Sequence, residues 1–141
     1  MDFIPEGFLG KWSLHKNEGF DKYLEEQGVP WIVRKMVLIA AETFILVKKP
    51  NGGYRLDIKF AMKSNGYDFE LGREFEHKGL DDKNYKMTTV FDNGELVETR
   101  RSIDTPGEPA VATFTQQGNV LTQTIRCGSS HCTRIYKRAE K

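Results

Sequence analysis

The closing run "CTRIYKR" places two residues with clear ligand chemistry two positions apart, Arg134 and Tyr136. Side chains alternate across a strand, so Arg134, Tyr136 and Arg138 share one face while Thr133, Ile135 and Lys137 share the other. The ordinary partition turns Ile135 inward and leaves the arginines in water. The reverse encloses a guanidinium and a phenol, a planar fork of N–H donors beside a hydroxyl, which together suit the two oxygens of a carboxylate. An enclosed cation requires something negative beside it. What the chain does depends on which face is inside.

Other chemistry finds little support. The three histidines are far apart, and no Cys/His/Asp/Glu set has metal-ligand spacing. No glycine-rich phosphate loop, nucleophile elbow or pair of catalytic carboxylates is recognisable, so neither an enzyme nor a cofactor is expected. Cys127 and Cys132 flank "GSSH", a spacing that sets them opposite each other across a four-residue hairpin loop. Free thiols are the expected state; the alternative, a cross-strand disulfide, needs an oxidising compartment and suitable geometry.

Lys and Arg number 21 against 20 Asp and Glu, leaving a formal charge of +1 and no general field for nucleic acid. The pairs Lys48-Lys49 and Arg100-Arg101 read as solvated strand ends with no aromatic platform beside them. No apolar run approaches the roughly 20 residues of a membrane span. The opening "MDFIPEGFLG" is not a signal peptide as written. An extracellular location then implies a removed leader; otherwise the cytoplasm is expected.

The 141 residues are read as one domain, 1–141. From residue 43 onward, β-type runs ("TFILVKK", "YRLDIKFAM", "YDFELG", "REFEH", "YKMTTVF", "ELVETRRSI", "AVATFT", "VLTQTIRC", "CTRIYKR") alternate with turn signals. Those signals include Asn51-Gly52-Gly53, Asn65-Gly66, Gly118-Asn119 and Asp92-Asn93-Gly94, the last being the best hairpin signal. The pattern indicates an antiparallel meander, in a sandwich or a barrel. Before residue 43, "GKWSLHK" reads as a strand, "EGFDKYLEEQG" as a short helix ending at Gly28, and "PWIVRKMVLIAA" as a second helix opening at Pro30. Several inner faces would be polar: Gln123 between Thr122 and Thr124, "KMTTV", and the terminal Arg-x-Tyr. A cavity with a few convergent polar groups fits that pattern better than a dry core.

These residues resemble a known family, the fatty-acid-binding proteins among the intracellular lipid-binding proteins. In "GKWSLHKNEGFDKYL", Gly10, Trp12, Leu14, Gly19, Phe20, Asp21, Tyr23 and Leu24 fall on the family's N-terminal signature. "GVPWIVRKM" is similar to its second helix, "LGREF" to a central strand and "CTRIYKR" to its last strand. The longer "KKPNGG" and "DTPGEP" loops, the "IPEGFLG" opening and the tryptophan of "PWIVRK" look most like the secreted nematode branch. The resemblance implies an all-β fold: a ten-stranded antiparallel up-and-down β-barrel (clam) with a two-helix lid between the first two strands.

It further implies a monomeric, non-enzymatic carrier of long-chain fatty acids whose ligand carboxylate meets Arg134 and Tyr136, the ligand supplying the negative charge. Phe20, Tyr23, Leu24, Phe114, Gln123 and Ile125 would line the cavity, and Trp31, Ile32 and Met62 would form the portal. Transient membrane contact through the lid would be helped by Arg34 and Lys35. One position departs from the pattern: many members carry a second arginine where this chain has Phe114. The clamp would then rest on Arg134 and Tyr136, with water or Gln123 assisting. Phe114 favours the rival reading of a neutral-lipid or retinoid carrier, and Arg134 opposes it. A further rival is a membrane-associating protein that acts through its lid.

Overall fold

The computed structural model describes residues 3–60, 63–79 and 82–139. A 3-10 turn (Glu6–Phe8) leads into β1 (Gly10–Glu18), followed by α1 (Phe20–Glu26) and α2 (Trp31–Ile39). Nine strands then follow: β2 (Glu42–Lys48), β3 (Tyr54–Phe60), β4 (Lys63–Phe69), β5 (Phe75–Lys78), β6 (Asn84–Asp92), β7 (Glu95–Ser102), β8 (Ala110–Gln117), β9 (Val120–Cys127) and β10 (Ser130–Arg138). All pairings are antiparallel, and β1 joins β2 on one side and β10 on the other. The sheet therefore curls into a near-closed barrel with the two helices inserted between β1 and β2. β4 and β5 end the strand order without a ladder between them. Side chains and loop backbone bridge that seam: Asn65 Nδ2 donates to Lys78 O at 3.1 Å, and Gly72 N donates to Thr89 O at 2.8 Å.

The turns follow local chemistry. Asp92 pairs with Glu95, leaving Asn93 (φ 51°) and Gly94 (φ 79°) as the two left-handed residues a type I′ hairpin requires. Asn65-Gly66, expected as a turn, lies inside β4 instead. The reason is close approach: a Cβ on Gly66 would lie 1.9 Å from Asp57 Oδ1 and 2.5 Å from an Arg55 nitrogen. Glycine here makes room for the Arg55–Asp57 pair across the strand rather than reversing the chain. The last hairpin is also tighter than expected. Cys127 sits opposite Ser130 and Cys132 opposite Ile125, so the two cysteines do not face each other, and both are free thiols.

The core gathers the inward aromatics Phe8, Trp12, Phe44, Tyr54, Phe69, Phe114 and Tyr136 with Leu46, Leu56, Leu96 and Leu121. The 3-10 turn closes one end: Trp12 Nε1 donates to Phe8 O at 3.0 Å, and Arg138 lies 3.9 Å from the Trp12 ring while donating to Leu9 O and Gly7 O. At other inward positions Leu14, Ile58, Phe75, Tyr85 and Ile125 pack on this core yet stay only partly buried.

Candidate functional site

Arg134 and Tyr136 both point inward and Ile135 does not, so the closing strand takes the costly orientation. Arg134 is 6% exposed and Glu42, on β2, is 9% exposed. Arg134 donates through its two terminal nitrogens to the two carboxylate oxygens of Glu42, at 3.2 and 3.0 Å. Tyr136 OH donates to Glu42 Oε2 at 2.5 Å, and Arg134 Nε donates to Asn17 Oδ1 at 2.8 Å. The Phe20 ring covers the guanidinium at 4.0 Å. Burial raises the Tyr136 hydroxyl well above the ordinary phenol range, so it remains a donor.

Each member is placed by its own strand. Glu42 is in phase with the inward Phe44 and Leu46 of β2. Asn17 reaches the interior because β1 carries a bulge between Leu14 and Lys16: Leu14 faces Tyr136, and Asn17 then faces Arg134. The extra residue, His15, shifts the alternation by one. The expectation that a ligand alone would neutralise Arg134 is therefore corrected, since Glu42 already does so. The β-type run in the sequence starts at Thr43 and leaves Glu42 outside it. The signal available was a carboxylate two residues before Phe44, in phase with the apolar face. Gln123, expected to assist, lies opposite Arg134 in register, but its Oε1 has no hydrogen-bond partner.

The other expected residues separate into groups. Phe20 and Tyr23 are buried beneath the lid with Cys132, and Leu24 and Ile125 pack against them. Burial pushes the Tyr23 hydroxyl up to about 12 and the Cys132 thiol up to about 11. Phe114 is buried with its ring 5.4 Å from that of Phe44, which in turn lies 5.8 Å from Tyr136. Trp31 and Ile32 are 62% and 64% exposed on α2, none of whose residues is fully buried. Met62 lies outside the described residues. Arg34, expected to reach outward, is instead tied into the lid, donating to Asp21 at 2.8 Å and Val29 O at 2.9 Å. Lys35 stacks over Trp31 at 5.8 Å.

A second polar group, absent from the expected site, lies on the inner faces of β4, β6 and β7. Tyr67 donates to Glu98, which faces the interior in register with Thr89, and Thr89 Oγ1 is buried without a partner. Burial raises the Glu98 carboxyl above its ordinary range, against the opposing effects of Tyr67 and Arg100. The Tyr67 ring lies 4.9 Å from that of His77, whose imidazole is lowered by burial and by Arg55 and Arg100. A surface hollow of about 200 Å³ near the β2–β3 turn involves Lys49, Asn51, Asp68 and Arg73, and none of the interior polar residues line it.

No family model matches the chain. Whole-chain similarity is nevertheless clear. Fatty acid-binding protein homolog 3 of Caenorhabditis elegans is 33% identical over 139 residues, covering 96% of this chain and 84% of that protein. Homolog 4 of the same organism is 31% identical over 142 residues, covering 98% of each. Among solved structures, As-p18, an extracellular fatty acid binding protein, superposes with a TM-score of 0.88 at 28% identity, covering 96% of this chain and 99% of that one. Sequence and architecture agree along nearly the whole length, and the chain belongs to the fatty acid-binding proteins, a family of non-enzymatic lipid-binding β-barrels.

Proposed function

We propose that this protein carries long-chain fatty acids, with the acyl tail inside the barrel and the carboxyl group at Arg134 and Tyr136. The observation that carries this reading is the seating of Glu42: a carboxylate already fits the guanidinium fork and the phenol together. Phe20, Tyr23, Leu24, Phe114, Gln123 and Ile125 form the wall around the ligand. Burying a C16–C18 tail supplies the affinity, since about 0.8 kcal/mol per methylene gives a gross gain above roughly 10 kcal/mol before ordering costs. Trp31 and Ile32 form an apolar portal surface that touches a membrane transiently during transfer. The carrier acts as a monomer. Likeness to an extracellular relative supports secretion, which recovery of the mature chain from the surrounding medium tests.

The experiment is displacement of a fluorescent long-chain acid by oleate and by retinol. Saturable binding of one acid per barrel, reversed by oleate, is the expected result. Binding of retinol with no measurable affinity for any acid would instead favour the neutral-lipid reading, which Phe114 also favours.

A further inference from the structure

If the barrel takes an acid at Arg134, that acid arrives where a carboxylate already sits. Glu42 has no route out: β2 alternation fixes its side chain on the inner face with Phe44 and Leu46, and Phe44 is held between Phe114 and Tyr136. Among the described residues, the groups around it offer no second cation. β10 contributes Arg134, Tyr136 and Cys132; β1 contributes Asn17; α1 contributes the Phe20 ring; Phe60 is its partner on β3. On β9 the facing residue is the neutral Gln123, and on β8 it is Phe114. Elsewhere on the inner face, Glu98 adds a second carboxyl group. Arg100, in phase with Leu96 and Glu98 on β7, is a cation on that same part of the inner face, over the Tyr85 ring and opposing the rise of the Glu98 carboxyl, and Arg138 is committed to the closed end.

We propose that Glu42 sets the headgroup class of this carrier: the pocket admits a headgroup that is neutral as bound, and an ionised fatty acid enters by taking up one proton. The proton comes from the buffer and lies between the ligand carboxyl and Glu42. One shared negative charge then faces the one positive charge of Arg134. Two carboxylates beside a single guanidinium in an apolar chamber do not both remain ionised, for the reason that separates the titrations of carboxylate dyads. Arg134 can accommodate the pair. Three of its five N–H groups are engaged by Glu42 and Asn17, and two are left to donate to the newcomer. The raised carboxyl of Glu98 is consistent with an interior that disfavours added negative charge. Fatty alcohols and methyl esters, which bring no charge, should bind within about tenfold of the matching acid, because the acid exchanges one neutral arrangement for another.

This inference rests on the proposed headgroup position and is tested by calorimetry. Dilute sodium oleate is titrated near neutral pH into the protein in phosphate and in Tris, whose ionisation enthalpies differ widely. The dependence of the observed heat on buffer gives the protons taken up. Close to one proton per oleate is expected for the wild type, and none for oleyl alcohol. Glu42→Gln keeps the size of the side chain and removes its charge. It should abolish proton uptake and raise the preference for oleate over oleyl alcohol by about tenfold or more, the worth of an uncontested charge-assisted pair. Oleate binding to the wild type without proton uptake would overturn the proposal, and so would unchanged uptake in Glu42→Gln. Should that variant not fold, the comparison of oleate with oleyl alcohol in the wild type decides alone. Absence of oleate binding to any variant would instead contradict the proposed function itself.

Discussion

Replacing Arg134 alone would strand the Glu42 carboxylate in the interior, so the two residues should be energetically coupled. Removing one partner of a buried ion pair costs about 3–5 kcal/mol, whereas replacing both with apolar groups is often close to neutral. Arg134→Leu is therefore expected to lower urea stability by that amount, and Arg134→Leu with Glu42→Leu to recover most of it. Equal, additive losses would show that the pair is not coupled. Phe114→Arg has a definite expected outcome, because the ring is buried against Phe44 while Arg134 already holds the nearby carboxylate. The variant should melt markedly earlier and gain no affinity for acid. A stable variant with tighter acid binding would mean that the site can hold a second cation. At this scale, Arg134 and Tyr136 were legible through their spacing and the family resemblance. Glu42 was not, since a single acid at a strand start looks like a solvated residue. Asn17 was not either, because a bulge reverses the face that simple alternation assigns.

Among the elements, α2 is the one whose sequence and packing disagree with an ordinary role. It is a short, largely apolar helix that packs Val37 and Leu38 against Phe20, Tyr23 and Cys132 yet displays Trp31, Ile32, Met36 and, at 86% exposure, Ile39. Tryptophan at such a surface suits a membrane interface. Trp31→Ala should slow transfer of a fluorescent fatty acid to vesicles several-fold while changing equilibrium affinity little, because the side chain lies outside the cavity. The wild-type rate should rise with vesicle concentration; a flat dependence, equal in both proteins, would leave Trp31 without a role in transfer. Anionic vesicles should help only modestly, since Arg34 is held by Asp21 and Val29 and Lys35 is the neighbouring cation left for headgroups. The strands themselves were legible from alternation and turn residues, with Asp92-Asn93-Gly94 forming the expected tight hairpin. Asn65-Gly66 misled because a glycine that makes room for an ion pair and a glycine that turns the chain look alike in one dimension. Gly66→Val is accordingly expected to cost no more than about 1 kcal/mol, as measured by thermal unfolding, because the atoms in its way are the ends of the flexible Arg55 and Asp57 side chains in a partly exposed pair. A larger loss would contradict that reading.

For the molecule as a whole, a barrel that encloses ionisable groups among apolar side chains should show them in its pH response. Glu98 has a folded-state pKa raised above its unfolded value, mainly by burial. The folded state thus holds this proton where the unfolded chain has released it, above the ordinary glutamate value of about 4.3. Its contribution is present in full below that value and is lost as pH rises toward the folded pKa. Glu98→Gln should flatten this part of the stability profile and gain most, relative to wild type, at the upper end of that window. Parallel profiles for the two proteins would mean that Glu98 titrates normally.

A crystal structure of the palmitate complex shows where the fatty acid lies and whether its carboxyl group sits at Arg134 and Tyr136 inside the barrel. The predicted result is a carboxyl group within hydrogen-bond distance of Arg134 or Tyr136 and beside Glu42, with the tail running past Phe20 toward the lid. A carboxyl group at the portal beside Trp31, with the methyl end against Arg134, would rule out Arg134 and Tyr136 as the headgroup site.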